Sequence, residues 1–218
     1  MSIRADMYYS IRSPYSYLGI RRLEALLPLQ ALDVEIDIRP VLPIAARMPE
    51  LFKRANPGAI RYLEHDTRRA AAQLGVGFRI WPQPDPIVQN METLEIAEEQ
   101  PHIHPLTRRL VYACERGSGF DYTLRLAKLI WDASVDDWNS EEQMRKVADD
   151  AGLSYDEMES VIVSDAERLD AVVDANQAAL AAAGHWGVPT IVFEGEPFFG
   201  QDRIETFLWR VEQANGQA

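Results

Sequence analysis

The sequence holds a single cysteine, Cys114, among 218 residues. That excludes an intrachain disulfide and a Cys-x-x-Cys dithiol alike. No apolar run approaches the ~20 residues that a helix needs to cross a bilayer. The opening residues, Met1-Ser2-Ile3-Arg4-Ala5-Asp6, carry charge and lack the apolar stretch of a secretory signal, so a cytoplasmic protein is expected. Basic residues are scarce: 22 Lys and Arg against 34 Asp and Glu leave a net charge of -12. That balance repels phosphate backbones and anionic lipid, and neither nucleic acid nor membrane is expected as a partner. An anionic ligand would need a local basic patch. Metal ligands are also missing as a set: His102 and His104 stand between prolines with no Cys or Asp cluster beside them, and no metal is expected.

What remains reads as a globular core, with 47% hydrophobic and 26% charged residues. Ile3, Ala5, Met7 and Tyr9 alternate with Arg4, Asp6 and Tyr8, which predicts a half-buried strand. A helix is expected over 17–27, with Leu18, Leu23, Leu26 and Leu27 on one side. Leu32, Val34, Ile36 and Ile38 alternate with Asp33, Glu35 and Asp37 in a second strand, and strand–helix–strand implies a parallel pair. From Pro40 to about Gly184 no strand is evident. Helices are expected over 59–74, near 90–100, over 105–116, 120–132 and 171–183. Ser140 with Gln143, and Ser154 with Glu157, have capping-box spacing and start two more. Trp81-Pro82-Gln83-Pro84-Asp85-Pro86 is a rigid loop. Thr190–Phe193 and Pro197–Phe199 form a hairpin about Glu194-Gly195-Glu196, and Asp202 caps a last helix over 204–211. The class is α/β: β-α-β, an all-helical block over 40–184, then β-β-α, with 1–39 and 185–218 composing one domain around the insertion. A regular sheet inside the block would contradict this.

Ser13-Pro14-Tyr15-Ser16 lies between the first strand and the first helix. Thioredoxin-like proteins carry Cys-x-x-Cys at such a place. A hydroxyl replaces each thiol here, so the turn has no dithiol chemistry and would act on a thiol brought by another molecule. Gly187-Val188-Pro189-Thr190 stands just before the hairpin. In thioredoxin-like folds a cis-proline loop faces the turn, and the residue before it offers its backbone to a peptide-like ligand. Alternatively, Pro189 only fixes the start of a strand.

The chain resembles the DsbA-like branch of thioredoxin folds that holds 2-hydroxychromene-2-carboxylate isomerases and kappa-class glutathione transferases. The resemblance rests on Ser13-Pro14-Tyr15-Ser16-Tyr17-Leu18-Gly19, Gly187-Val188-Pro189-Thr190 and Phe199-Gly200-Gln201-Asp202-Arg203, and it spans essentially the whole chain. It implies glutathione as cofactor and a homodimer, and it implies roles. Ser13 would bind the glutathione sulfur, and a helix N-terminus favours a thiolate there. Val188, next to Pro189, would pair with the cysteinyl backbone. Asp202 would hold the γ-glutamyl ammonium with Gln201 beside it, which is compatible with Asp202 being a helix cap. The family's lysine falls on Ala59, three residues before Tyr62-Leu63-Glu64-His65-Asp66, in a segment that looks shortened. Lys53, Arg54, Asn56 or Arg61 is left to meet a carboxylate, or to be surface.

The implied reaction is isomerisation of a small aromatic or carboxylate substrate. The alternatives are a kappa-like transferase and a ligand-binding protein without turnover. Tyr15, Ser16 and Trp186 are candidate walls of the substrate pocket; Trp81, Trp131 and Trp138 line it or pack the core. His65 and Asp66 either assist proton transfer or are exposed polar residues. Cys114, on the Leu110 face of a helix, is read as a core thiol.

Overall fold

The computed structural model describes residues 3–50, 57–90, 93 and 95–216. Strand β1 (Ile3–Tyr9) runs parallel to β2 (Val34–Pro40), pairing Ile3 with Val34 through to Tyr9 with Pro40. Strand β3 (Thr190–Phe193) lies antiparallel to β1, and β4 (Glu196–Phe199) antiparallel to β3, giving the order β2-β1-β3-β4. The alternation in sequence is met in burial: Ala5, Met7, Ile36 and Ile38 are buried while Arg4, Glu35 and Arg39 face out. Asp6 stands opposite Asp37 in this register. Arg39 and Arg4 answer that repulsion, with Arg39 Nε 2.8 Å from Asp6 and Arg4 Nη2 2.6 Å from Asp37. Leu32 falls outside β2, because the chain bends at Ala31 and Leu32; the pairing reaches back only to Asp33, whose carbonyl accepts from Ile3 N.

Helix α1 (Pro14–Leu26) begins three residues earlier than its apolar pattern suggests. Pro14 occupies the first helical position, where its missing N–H costs nothing and its fixed φ favours the helix. A short α2 (Ile44–Arg47) follows β2, and α3 (Pro57–Leu74) follows the segment over 51–56. Then come α4 (Ile103–Glu115), α5 (Gly119–Trp131), α6 (Glu141–Asp150), α7 (Tyr155–Ser164) and α8 (Ala166–Ala182), before the hairpin and α9 (Ile204–Gly216). Ser140 and Ser154 cap α6 and α7 as their spacing predicts, accepting from Gln143 N and Glu157 N.

Three expectations need correction. No helix forms near 90–100 among the described residues: Gln89 and Ile96 make an isolated antiparallel bridge, and Gln100 bonds both Val88 N and Val88 O. A single bridge is not a sheet, and no second sheet occurs among the described residues. The hairpin turns at Glu194 (φ 51°) and Gly195 (φ 81°) alone, so Glu196 is already strand. Asp202 does not precede the last helix as its cap but sits inside a 3-10 turn, Gln201–Arg203, that leads into α9.

The helical block and the sheet share one hydrophobic core. Trp131 at the end of α5 is fully buried and donates from Nε1 to Ile11 O at 2.9 Å. Its ring stacks with Tyr17 of α1 and with Phe78, with centroids 6.2 and 6.0 Å away. Tyr17 OH donates to Gly77 O at 2.6 Å. The block therefore grips the β1–α1 connection from behind. Trp131→Phe keeps an aromatic ring but leaves the Ile11 carbonyl unpaired, which costs ~1–3 kcal/mol. We expect its urea midpoint to fall accordingly, while Trp209→Phe, at a position 56% exposed, stays within ~0.5 kcal/mol of the parent. Equal midpoints for the two variants would contradict this coupling.

Candidate functional site

Four strand ends converge at one edge of the sheet. Tyr9 pairs with Pro40, Tyr8 with Thr190, and Thr190 with Phe199. The segments after β1, after β2, before β3 and after β4 must therefore emerge side by side. They carry Ser13, Arg47, Val188 with Pro189, and Gln201 with Asp202.

Ser13 is the N-cap of α1. Its backbone is extended (φ -89°, ψ 118°) and its hydroxyl oxygen accepts from Ser16 N at 3.1 Å. The hydroxyl also donates toward Val188 O, at the long distance of 3.5 Å. The Val188–Pro189 peptide is cis, and the loop faces Ser13 as expected. Gly19 lets α1 approach this loop, since a Cβ there would lie 3.2 Å from Pro189 Cγ. Thr190 Oγ1 donates to Gly187 O at 2.8 Å, and Gly200 N donates to Pro189 O at 2.9 Å. The second of these bonds ties the Gln201–Asp202 turn to the loop.

Gln201 is buried and its Oε1 has no hydrogen-bond partner. Asp202 is exposed, with Arg203 Nη1 3.4 Å from its carboxylate. Ser16 is fully buried with its hydroxyl unpartnered, so it lies beneath the turn rather than in a pocket wall. Tyr15 reaches the other way and donates to Asp66 Oδ2 at 2.8 Å. Burial and then this Asp66 bond push the phenol pKa well up, and the Asp202 charge adds to it. Tyr15 is thus a donor at neutral pH. Asp66 also accepts from Tyr62 and Arg69, which engages the carboxylate fully, while His65 is exposed. Trp186 is half-exposed beside the cis-proline loop and stacks on His185, which stacks in turn on Phe199 at 4.0 Å.

Two arginines of the site carry no local sequence signal. Arg12 precedes Ser13 and forms a two-pronged pair with Asp85, at 2.5 and 2.7 Å, largely shielded from solvent. Its guanidinium lies 5.2 Å from the Trp81 ring centre. The pair pins the proline-rich loop to the turn, beside a cavity of about 560 Å³ lined by Trp81, Pro84, Asp85, Ile87 and His102 among others. Trp138 donates to Pro84 O and, like Trp131, serves the packing. Arg47, at the end of α2, donates from Nε to Leu42 O at 2.6 Å and from Nη2 to Trp186 O at 3.0 Å. Of the residues left to meet a carboxylate, Lys53, Arg54 and Asn56 lie outside the described residues and Arg61 is exposed, as is Ala59 at the family's lysine position. Cys114 packs against β2 and donates to Ile38 O, and burial pushes its thiol up to about 12.

Among solved structures, 2-hydroxychromene-2-carboxylate isomerase matches with a TM-score of 0.70 at 20% identity, over 99% of this chain and 98% of that one. A probable DsbA oxidoreductase from Streptomyces coelicolor matches at 0.69 and 22%, over 99% and 91%. The cytosolic disulfide reductase DsbM from Pseudomonas aeruginosa matches at 0.58 and 14%, over 99% and 100%, and its structure with GSH at 0.55 and 14%, over 97% and 98%. No curated protein matches the sequence. At such identities the likeness speaks for the fold. The family model of the DSBA-like thioredoxin domain matches residues 4–212, and the chain belongs to that family.

Proposed function

We propose that the protein is a glutathione-dependent isomerase of the kind represented by 2-hydroxychromene-2-carboxylate isomerase, with Ser13 holding the glutathione thiolate. The observation that carries this reading is a hydroxyl at a helix N-terminus, opposite a cis-proline loop, in a chain whose sole thiol is packed elsewhere. Bound glutathione would supply a thiol able to add to a substrate double bond and leave again.

The residues fit such a ligand. The Ser13 hydroxyl spends its proton on a long contact to Val188 O, so redirecting it to sulfur forfeits little. Its oxygen keeps accepting from Ser16 N. The first N–H groups of α1 favour negative charge at the same point. Val188 and Pro189 offer a backbone edge to the cysteinyl residue. The buried, unpartnered Gln201 Oε1 suits an ammonium or amide donor, and Asp202 suits the γ-glutamyl ammonium. Tyr15, whose phenol proton is held by Asp66, would present its ring beside the turn, and the half-exposed Trp186 ring would back an aromatic body. Ser16 has no role in this reading because it is buried. We extend the same proposal to a cytoplasmic homodimer; no helix among the described residues is long and apolar enough to cross a membrane. The second reading, a kappa-like transferase, uses the same residues without return of glutathione. A third, binding without turnover, draws on the exposed Ala59 at the lysine position.

Calorimetric titration with glutathione tests the whole group: absence of binding at millimolar concentration would remove both enzyme readings. Counting thiols during turnover separates the two. An isomerase leaves glutathione unchanged in amount, whereas a transferase consumes one per product.

Ser13→Ala should raise the pKa of the bound thiol and move the acid limb of the pH–rate profile to higher pH, because less thiolate exists at any given pH. Loss of one hydrogen bond to a charged group is worth ~1.5–3 kcal/mol, or roughly ten- to a hundredfold in turnover. Ultraviolet absorbance of the thiolate across a pH series reads the shift. An unmoved pKa with unmoved turnover would reduce Ser13 to a helix cap.

Cys114→Ala should leave turnover unchanged. In the native protein Cys114 should resist alkylation at pH values well below its raised pKa of about 12 and react readily once unfolded. Fast labelling of native protein would reopen the question of an internal thiol.

A further inference from the structure

Arg47 has no carboxylate partner among the described residues. Its two bonds, to Leu42 O and Trp186 O, go to neutral carbonyls. Burial alone acts on the guanidinium, drawing its pKa down with no acid to offset the loss of water. By contrast Arg12, Arg108 and Arg109 each hold a two-pronged carboxylate. A fork of five donors needs only two for the carbonyls, and a desolvated charge left in that state is costly.

The placement is specific. Trp186 O, the acceptor at 3.0 Å, lies two residues before Val188, whose own carbonyl is the one facing Ser13. Arg47 stands where β2 delivers its chain to the shared edge of the sheet. The neighbouring surface is the half-exposed Trp186 ring on its His185–Phe199 stack. The chain's net charge of -12 makes a local cation necessary for any carboxylate that enters this cleft.

We infer that Arg47 is a carboxylate subsite of the cis-proline cleft, receiving the acid group of a small organic ligand on its unused guanidinium donors. This rests on the proposed placement of a ligand against Ser13 and Val188. The acid has two sources, the glycyl end of glutathione or an aromatic acid lying on Trp186. A purely mechanical clamp between α2 and the loop would use the same two carbonyl bonds, so the test must separate charge recognition from folding.

Full-length wild type, Arg47→Gln and Arg47→Lys are titrated calorimetrically with four probes: glutathione, its glycine ethyl ester, naphthoate and naphthamide. Arg47→Gln should weaken at least one acid by on the order of ten- to a hundredfold while its neutral analogue changes by less than about twofold. Arg47→Lys should recover part of the loss. A response in the glutathione arm assigns the glycyl carboxylate, and one in the naphthoate arm assigns an aromatic acid. The inference is overturned if acid and neutral probes weaken together, if neither changes, or if neither acid binds wild type. Glutathione binding that ignores Arg47, with naphthoate unresponsive, would sink this subsite and leave the catalytic proposal standing. Naphthoate binding that depends on Arg47 in a protein that does not bind glutathione would do the reverse.

Discussion

The antiparallel pairing of β1 with β3 is the constraint from which the site follows. In a parallel neighbour the start of β3 would lie toward the opposite end of β1, away from the turn that follows it. Antiparallel register instead sets Tyr8 against Thr190, so the chain leaving β1 meets the chain entering β3. Ser13 and Val188, 175 positions apart, come to 3.5 Å. The parallel β1–β2 pair and the antiparallel hairpin extend the same edge on both sides. Polar groups accumulate there because strand ends and a helix start expose backbone donors and acceptors that the sheet no longer uses.

The helical block bears on this edge from two directions. From behind, Trp131 and Tyr17 fix Ile11 and the root of α1. From the side, Asp85 holds Arg12 and thereby the proline-rich loop. Both contacts act within two residues of Ser13. The insertion thus holds the turn that the sheet only delivers, and the fully buried Trp131 leaves little room for that turn to shift.

The strands were legible because their periodicity is local and one face is buried: Ile36 and Ile38 alternate with Glu35 and Asp37 in sequence and in burial alike. The caps at Ser140 and Ser154 were legible for a similar reason, since three residues suffice to define them. The stretch near 90–100 misled because its apolar residues fit a helix while its partners do not lie within one turn; Gln100 answers Val88, 12 positions away. In the site, Ser13 and Pro189 could be connected only through a family resemblance. Arg47 and its acceptor Trp186 O, 139 positions apart, had no such guide. Nothing within a few residues of Arg47 distinguishes it from the surface arginines of an acidic protein. That no carboxylate among the described residues reaches it appears only in the fold.

Replacing two thiols by two hydroxyls does not affect both positions equally. Ser16 turns inward, fully buried, where a hydroxyl can neither meet a ligand nor resolve a mixed disulfide. Ser13 stays at the surface of the cleft as a cap, a geometry that a serine oxygen satisfies better than sulfur because it is the stronger acceptor for Ser16 N. On the proposed reading the same atom then serves two partners without conflict: its lone pair holds the helix start, and its proton is available to an incoming sulfur. An alcohol in this position resists ionisation at neutral pH, and so it can polarise a thiolate without competing as a nucleophile. On that reading the hydroxyl directs the affinity of a helix start for negative charge toward a ligand's sulfur, because the turn holds no sulfur of its own.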